Sequence, residues 1–599
     1  PQALLEDLRR ERAAVAAPAD TFAQWLQRRD PEGARARMAG EEGQGAASIH
    51  VVIEGDDDEA IEATRRSLLG PDGRNPRGLA VSVLPAGNGC GPLQALMARH
   101  AQPWWLRVPA GVEFLPAGLE MVLQSLQRAP AYRAVYADEM VRDPAGALLP
   151  ILRPDFNLDL LLSFPGAMAR HWLFHRDALA AVGGFVPEDG GAFELGALLR
   201  MAEDGDFSSL CHVPEPFLVA PLAVSASEDA RRVALDHLRR RGYADADVAN
   251  GAQGTFRVLY GHGRAPLVSV IIPTKDQLPL LQQCVETLLE KTAYRNFEVL
   301  IVDNGSSSPE ALVWLDGIER MGLDQLRVLR YPLPFNYSAM NNLAARQARG
   351  EYLLLLNNDT AVLQGDWLDG MLNHAQRPEV GIVGAKLLYP DGRIQHAGVV
   401  LGLNGPADHP HIGDPLNTPG HMHRLLVDQD LSAVTGACLM VRKSLYEEVG
   451  GLDEEAFKVS YNDVDLCLKV RQAGYLVVWT PHVLVMHVGS VSQKSVDKAT
   501  DEAKHARFAA EQDAMYAKWL PVLAHDPAYH RHFALDGQGY QVEPHLRLPA
   551  GAPARGPKVL AHPADGFGCG HYRVIQPWRA LHAEGRIEGA YAGHLLRPP

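Results

Sequence analysis

The run Gly350-Glu351-Tyr352-Leu353-Leu354-Leu355-Leu356-Asn357-Asn358-Asp359-Thr360 constrains this chain more than any other stretch. Its four consecutive leucines suffice for a buried strand, and they are bounded by a glycine on one side and a polar triplet on the other. A continuous apolar run without alternation reads as a central strand of a parallel sheet, covered on both faces. Ligands of open α/β sheets sit beyond the carboxyl ends of such strands, which is where Asp359 falls. A carboxylate there has the chemistry to hold a divalent cation against a diphosphate. An Asn-Asn-Asp turn that only closes a strand accounts for the same residues, so the rest of the chain decides between the two.

At 599 residues the chain exceeds a single core, which implies three or four domains. Apolar residues make up 47% of it, as in ordinary globular proteins, and the formal charge of −15 argues against a nucleic-acid partner. Cys90, Cys211, Cys284, Cys438, Cys467 and Cys569 follow neither metal-ligand nor disulfide-framework spacing, and they read as buried thiols in a reducing compartment. No apolar run approaches the roughly 18 to 20 residues of a membrane helix, and no signal pattern opens the chain, so a cytoplasmic location is expected. Because the chain opens on Pro1 and stops at Pro599, it is expected to be a piece of a longer polypeptide.

Residues 1–45 carry helical spacing, with Leu4, Leu5, Leu8, Phe22, Trp25 and Leu26 forming a partial apolar stripe. Strand-like Ile49 to Ile53 and Ala80 to Leu84, with helical patterns between and after them, imply a βαβ domain over 46–225. A charged helix followed by Gly-rich polar residues makes 226–265 a linker. A stronger α/β unit spans 266–500, with strands expected at 266–274, 297–302, 327–331, 352–356 and near 380–383, and a helix at 278–291. A helical tail follows over 501–550. The final segment, 551–599, offers one strand and a Gly-rich loop at Gly566 to Gly570, too little to complete a domain. The two α/β units look duplicated, since His175 to Phe185 aligns without a gap against Arg442 to Leu452 and shares Val-Gly-Gly. The fold class is therefore α/β, with two tandem doubly wound mixed sheets.

Seven ordered segments of the second unit resemble the inverting family-2 glycosyltransferases of GT-A fold, in particular the bacterial enzymes that build O-antigen and related surface glycans. They are Val268-Ser269-Val270-Ile271-Ile272-Pro273-Thr274-Lys275-Asp276, Ile301-Val302-Asp303-Asn304-Gly305-Ser306, Pro334-Phe335-Asn336-Tyr337-Ser338-Ala339-Met340-Asn341-Asn342, Leu355 to Asp359, Gln395-His396-Ala397-Gly398-Val399-Val400, Thr435-Gly436-Ala437-Cys438-Leu439 and Asn462-Asp463-Val464-Asp465-Leu466-Cys467-Leu468. The resemblance covers about residues 266–495.

The resemblance implies a nucleotide-sugar donor held by Thr274, Asp303, Asn342, Asn357 and Asn358, with Thr274 and Asp303 as base and ribose contacts. Asn357-Asn358-Asp359 takes the place of a metal-binding Asp-x-Asp motif but begins with Asn, so Asp359 supplies the charged ligand alone. His487 stands where relatives carry a second ligand, with His482 nearby as an alternative. An imidazole beside a carboxylate favours Mn²⁺ over Mg²⁺. Asp463 is the expected general base, since displacement at an anomeric carbon needs a carboxylate within reach of the acceptor hydroxyl. Asn462 would cap the helix that follows, and Asp465 reads mainly as a first-turn residue favoured by the helix dipole. His396, Thr435 and Gly436 are assigned to the acceptor side, with the loop of His409, His411, His421 and His423 closing over it. The spacing of those histidines fits no standard zinc site.

In the first unit the stretch Trp104 to Gly111 has no carboxylate to match Asp359, which implies an inactive copy, with Glu194 in the place of Asp463. The segment Lys558 to Tyr572 resembles the start of a GT-B domain. The expected activity is metal-dependent transfer of a sugar to a glycan or lipid-linked glycan, by a protein without a transmembrane segment, peripheral at the inner membrane face. The alternative is a non-catalytic glycan-binding scaffold. A nicotinamide oxidoreductase is disfavoured, because no G-x-G-x-x-G opens a helix after either first strand.

Overall fold

The computed structural model describes residues 48–69, 79–87, 89–128, 131–142, 146, 148–221, 227–489, 498–542, 557–561, 563, 570–583 and 586–591. The expected helical segment 1–45, Cys569 and most of the Gly566 to Gly570 loop lie outside them. The chain forms two compact units: one from Pro1–Phe156, Gly166–Val233 and Val542–Leu596, the other from Asn157–Pro165 and Ala234–Gln541 with Arg597–Pro599.

The second unit is built on a ten-stranded sheet. Its strands are β11 (Val268–Thr274), β12 (Phe297–Asp303), β13 (Leu326–Arg330), β14 (Tyr352–Leu356), β15 (Thr360–Val362), β16 (Val380–Leu388), β17 (Ile394–His396), β20 (Gln429–Asp430), β21 (Cys438–Arg442) and β22 (Leu476–His487), in spatial order β13-β12-β11-β14-β21-β16-β22-β15. β17 pairs with β16 and β20 with β22, while β18 (Val400–Leu401) and β19 (Ala407–Asp408) form a separate ribbon. The leucine run is the middle of this sheet, and every residue of β14 is buried. β14 runs parallel to β11 but antiparallel to β21, so the sheet is mixed at the strand that the apolar run predicts to be purely parallel. The helix over Leu278–Lys291 lies where its periodicity places it and buries Leu281, Cys284, Val285 and Leu288.

The first unit repeats this plan with β1 (Ile49–Glu54), β2 (Ala80–Leu84), β3 (Trp104–Pro109), β4 (Glu113–Phe114), β5 (Ala134–Arg142), β6 (Leu148–Ile151), β7 (Leu173–His175) and β8 (Leu210–Pro221). Its order β2-β1-β3-β7-β5-β8-β4 matches β12-β11-β14-β21-β16-β22-β15, with β6 on β5 as β17 is on β16. Parallel and antiparallel neighbours fall in the same places. Trp104 faces His175 as Tyr352 faces Arg442, which is the ungapped alignment read from the sequence. The shared Val-Gly-Gly ends a short helix in both copies, with φ of 86° and 73° at Gly183 and Gly184 and of 83° and 63° at Gly450 and Gly451. Two successive residues in this region select glycine, which has no Cβ to clash.

Residues 226–265, expected as a linker, hold the helix Glu228–Arg240 and an antiparallel ribbon of β9 (Asp247–Asn250) and β10 (Phe256–Leu259), which bury Val233, Ala234, Leu238, Val248, Phe256 and Val258. Asn157–Pro165, expected inside the first domain, belongs to the second unit. There Asn157 exchanges hydrogen bonds with the backbone of Asp430 (2.8 and 3.1 Å) and Asp159 pairs with Arg377 (2.6 Å). The tail helix Lys498–Leu523 packs Met515, Trp519 and Leu523 into the core of the second unit. Near the end, β23 (Lys558–Ala561) and β24 (Glu588–Tyr591) form a parallel pair. The five cysteines among the described residues are free, four buried and Cys211 half-buried. No helix among these residues is long and apolar enough to cross a membrane.

Candidate active site

The polar triplet leaves β14 at Leu356 and re-enters the sheet as β15, which pairs antiparallel with the end of β22 so that Thr360 faces His487. That register brings the residue before Thr360 to the imidazole, with Asp359 Oδ1 3.1 Å from His487 Nε2. Asp359 Oδ2 accepts the Gly489 N–H at 3.1 Å, and the Asp359 carbonyl accepts from Val488 at 3.0 Å. Burial opposes the charge on Asp359, but the hydrogen bond and charge of His487 and the Gly489 N–H outweigh it and hold the carboxyl below its ordinary range.

From His487 a chain of contacts runs to Asp463. Asn357 Nδ2 lies 3.3 Å from His487 Nε2, and Tyr337 stands 3.2 Å from both Asn357 Oδ1 and the Gly436 carbonyl through its hydroxyl. The Gly436 N–H donates to Asp463 Oδ2 at 2.8 Å, while Oδ1 accepts from Val464 at 2.9 Å. Asp463 thus sits in the first turn of the helix Asn462–Gln472, where backbone N–H groups and the dipole favour a carboxylate. The N-cap is Tyr461, at φ 59°, and not Asn462, which is the first helical residue and donates to the Val459 carbonyl at 2.9 Å. Asp465 is structural: it accepts from Trp519 Nε1 at 2.8 Å and from Lys518 at 2.7 Å.

Among the residues expected on the acceptor side, the Thr435 N–H points to His396 Nε2 at 3.4 Å, and His396 Nδ1 lies 2.8 Å from His409 Nδ1. Burial, then His409 and His487, hold His396 well below the usual imidazole range, so it is neutral. With Nε2 accepting, its proton sits on Nδ1 and faces His409. The other loop histidines disperse. His411 pairs with Asp414 at 3.0 Å, His423 stacks on Phe164 and His421 meets Phe533 edge-on. His482 turns to Asp428 at 3.8 Å, away from the site.

Thr274 and Asp303 end the neighbouring strands β11 and β12 and face each other in the ladder. Asn358 Nδ2 donates to Thr274 Oγ1 at 3.0 Å, which ties the triplet to this edge. Asp303 accepts two bonds from Ser306 on Oδ1 and one from Arg330 on Oδ2, which leaves one of its roughly four lone-pair sites for a ligand. Asn342, expected on the donor side, is not brought to this group. Its amide holds Leu452, Glu454 and Tyr446, fixing the loop after Gly451.

The residues around Asp359 fit a divalent cation. A carboxylate oxygen and an imidazole nitrogen face each other, and the other ring nitrogen, Nδ1, is engaged 2.5 Å from Gln395 Oε1. Tyr337 and Gln395 were missed by residue-type reasoning. Both lie inside the motif segments, but a tyrosine or glutamine carries no charge to single it out.

In the first unit, carrying the ladder alignment through β5 and β16 into β8 and β22 puts Leu218 at the place of Val485, since Glu139 faces Leu218 as Leu387 faces Val485. Phe114 opposite Leu218 then matches Val362 opposite Val485, so that Ala220, two residues after Leu218, stands for His487, and Gly111, three residues before Phe114, stands for Asp359. Counting along β3 from Trp104 gives the same Gly111. Glu194, second in its helix like Asp463, is spent on Arg107 at 2.7 Å, and Arg107 also pairs with Glu54.

The model of the family described as Glycosyl transferase family 2 matches residues 269–450. The chain is 41% identical over 435 residues to an uncharacterised protein, y4gI, of Sinorhizobium fredii, covering 70% of this chain and 47% of that one. It is 38% identical over 438 residues to the O-antigen biosynthesis protein RfbC of Myxococcus xanthus, covering 70% and 33%. The chain therefore spans less than half the length of either relative. Among solved structures it is similar to the mannosyltransferase PcManGT of Pyrobaculum calidifontis, in complex with GDP-Man and Mn²⁺, at 19% identity and a TM-score of 0.31 over 48% of this chain and 71% of that one.

Proposed function

We propose that this chain, which contains a glycosyltransferase family 2 domain at residues 269–450, is a metal-dependent inverting glycosyltransferase that moves one sugar from a nucleotide donor to a hydroxyl of a growing surface glycan. The observation that carries this reading is the unbroken line of contacts from Asp359 and His487 through Asn357, Tyr337 and Gly436 to Asp463. Such a line supports the reading, because a single displacement at an anomeric carbon needs a cation site and a carboxylate base on one framework.

Asp463 takes the proton of the acceptor hydroxyl while that oxygen forms its bond to the anomeric carbon. The carbon–oxygen bond to the diphosphate breaks on the opposite face, and the configuration inverts. Asp359 and His487 would hold Mn²⁺ or Mg²⁺, which when bound neutralises the charge developing on the diphosphate. Thr274, Asn358 and Asp303 hold the nucleoside, and Asn357 touches the sugar. Thr435, Gly436 and His396 form the acceptor wall. The similarity to an O-antigen biosynthesis protein supports a surface polysaccharide as product.

The first unit is read as a non-catalytic copy. Gly111 and Ala220 in place of the carboxylate and the imidazole support this, because neither can ligate a cation. Thermal shift of the purified chain against a panel of nucleotide sugars, with and without Mn²⁺, tests the proposal together with hydrolysis of whichever donor binds. A stabilising donor whose effect needs Mn²⁺ and disappears in Asp359→Ala supports it. No binding and no hydrolysis would overturn it and leave a glycan-binding scaffold.

A further inference from the structure

We infer that Gln395 is a positioning residue that sets the tautomer of His487 and so directs its Nε2 lone pair at the cation site, an inference that rests on the metal reading above. The glutamine touches His487 twice. Its Nε2 donates to the His487 carbonyl at 3.2 Å, and its Oε1 lies 2.5 Å from His487 Nδ1. A backbone carbonyl only accepts, so it fixes which end of the amide faces it. Oε1 must then face the ring, and an amide oxygen also only accepts, so the imidazole proton is held on Nδ1. Nε2 is then the ring nitrogen that faces Asp359 Oδ1, 3.1 Å away, and a cation bound there would displace any proton it carries. Asn357 Nδ2 lies 3.3 Å from the same ring nitrogen.

The backbone nearby is shaped for this contact. Gly489 has φ 70°, and a Cβ on it would lie 2.5 Å from Gln395 Nε2, so any side chain there would drive the amide off His487. The same glycine gives its N–H to Asp359 Oδ2. Its lack of a side chain therefore serves both ligands at once. The strand β17 that carries Gln395 also carries His396, which accepts the Thr435 N–H beside the turn that holds Asp463.

Two measurements without any sugar nucleotide test the inference. Titration calorimetry with Mn²⁺ alone should find Gln395→Leu weaker than wild type by about 10–100-fold, as for other groups that orient a metal-ligating histidine. Gln395→Glu, which still accepts from Nδ1, should stay within about threefold of wild type on the same reasoning. Leu binding Mn²⁺ like wild type, or Glu as weak as Leu with both variants folded, would overturn the inference. ¹⁵N NMR of histidine-labelled, metal-free protein at pH 8, with His487 assigned through His487→Asn, should show the proton on Nδ1 and its release from that position in Gln395→Leu. A wild-type ring protonated on Nε2 alone would overturn it equally. If wild type shows the Nδ1–H form yet binds no Mn²⁺, the metal reading fails while the tautomer lock stands.

Discussion

Replacing Asp463 by Asn separates a catalytic carboxylate from a structural one, because the two roles predict losses of different size. Asp463 Oδ2 accepts from Gly436 at 2.8 Å and Oδ1 from Val464 at 2.9 Å. An amide keeps one acceptor and turns an NH₂ toward the other N–H, so one of these bonds is lost. A hydrogen bond to a charged group contributes about 1.5–3 kcal/mol, and the substitution should cost about 2 kcal/mol of stability. Against a domain stability of roughly 5–15 kcal/mol, even the low end leaves about 3 kcal/mol and a folded fraction near 99%. Loss of a general base lowers turnover by about 10²–10⁴. That corresponds to about 2.7–5.5 kcal/mol of barrier, which partial unfolding cannot supply. Release of nucleoside diphosphate, measured at saturating donor and acceptor with Mn²⁺ affinity followed in parallel, reads both effects. Turnover within tenfold of wild type, or a fall matched by equal losses of Mn²⁺ and donor binding, would refute the assignment.

Glu194→Gln in the first unit should leave transfer within about twofold of wild type and cost about 1–2 kcal/mol of stability by chemical denaturation, because it weakens only the Arg107 pair. A hundredfold loss of turnover would place chemistry in the wrong unit. Tyr337→Phe removes the hydroxyl shared by Asn357 and Gly436, and should lower turnover by about tenfold while Mn²⁺ affinity changes little; unchanged turnover would show the bridge to be idle. Lys386, buried and donating to the Leu416 and Leu425 carbonyls, has its amine pushed down to about 8 by burial, below the ordinary lysine value of 10.5. Between those two pH values the unfolded chain binds this proton and the folded chain does not, so Lys386 by itself contributes about 3 kcal/mol of stability gained as pH rises through that window. Denaturant unfolding of Lys386→Met should lack this slope, its lost carbonyl bonds appearing only as a constant offset.

Much of the fold is legible wherever one strand has one chemical character. β14 and the helix Leu278–Lys291 match their expected limits residue for residue, because an unbroken apolar run and a 3.6-residue period each admit one structure. The strand pattern fades after Val383, and the reason is local. β22 carries Pro481 in its middle, and its ladder with β16 shifts register between Ala385 and Lys386, so twelve residues do not alternate as one strand. The ribbon of β9 and β10 is hidden for a different reason, since its short strands sit in polar, Gly-rich sequence and gain their burial from residues distant in the chain.

The site is legible to the extent that its members carry charge. Asp359, Asp463 and His487 stand out because a buried carboxylate or imidazole is expensive without a task or a partner. Asn342 shows the limit of that logic, since its placement in a motif implies a ligand contact and its bonds instead clamp the loop after Gly451. Tyr337 and Gln395 show the converse. They join the charged residues into one framework through neutral hydrogen bonds whose direction depends on a register known only after folding. The duplication turns this into an internal control. The same strand order with Gly111 and Ala220 at the positions of Asp359 and His487 keeps the sheet intact, so the fold alone does not require those two residues.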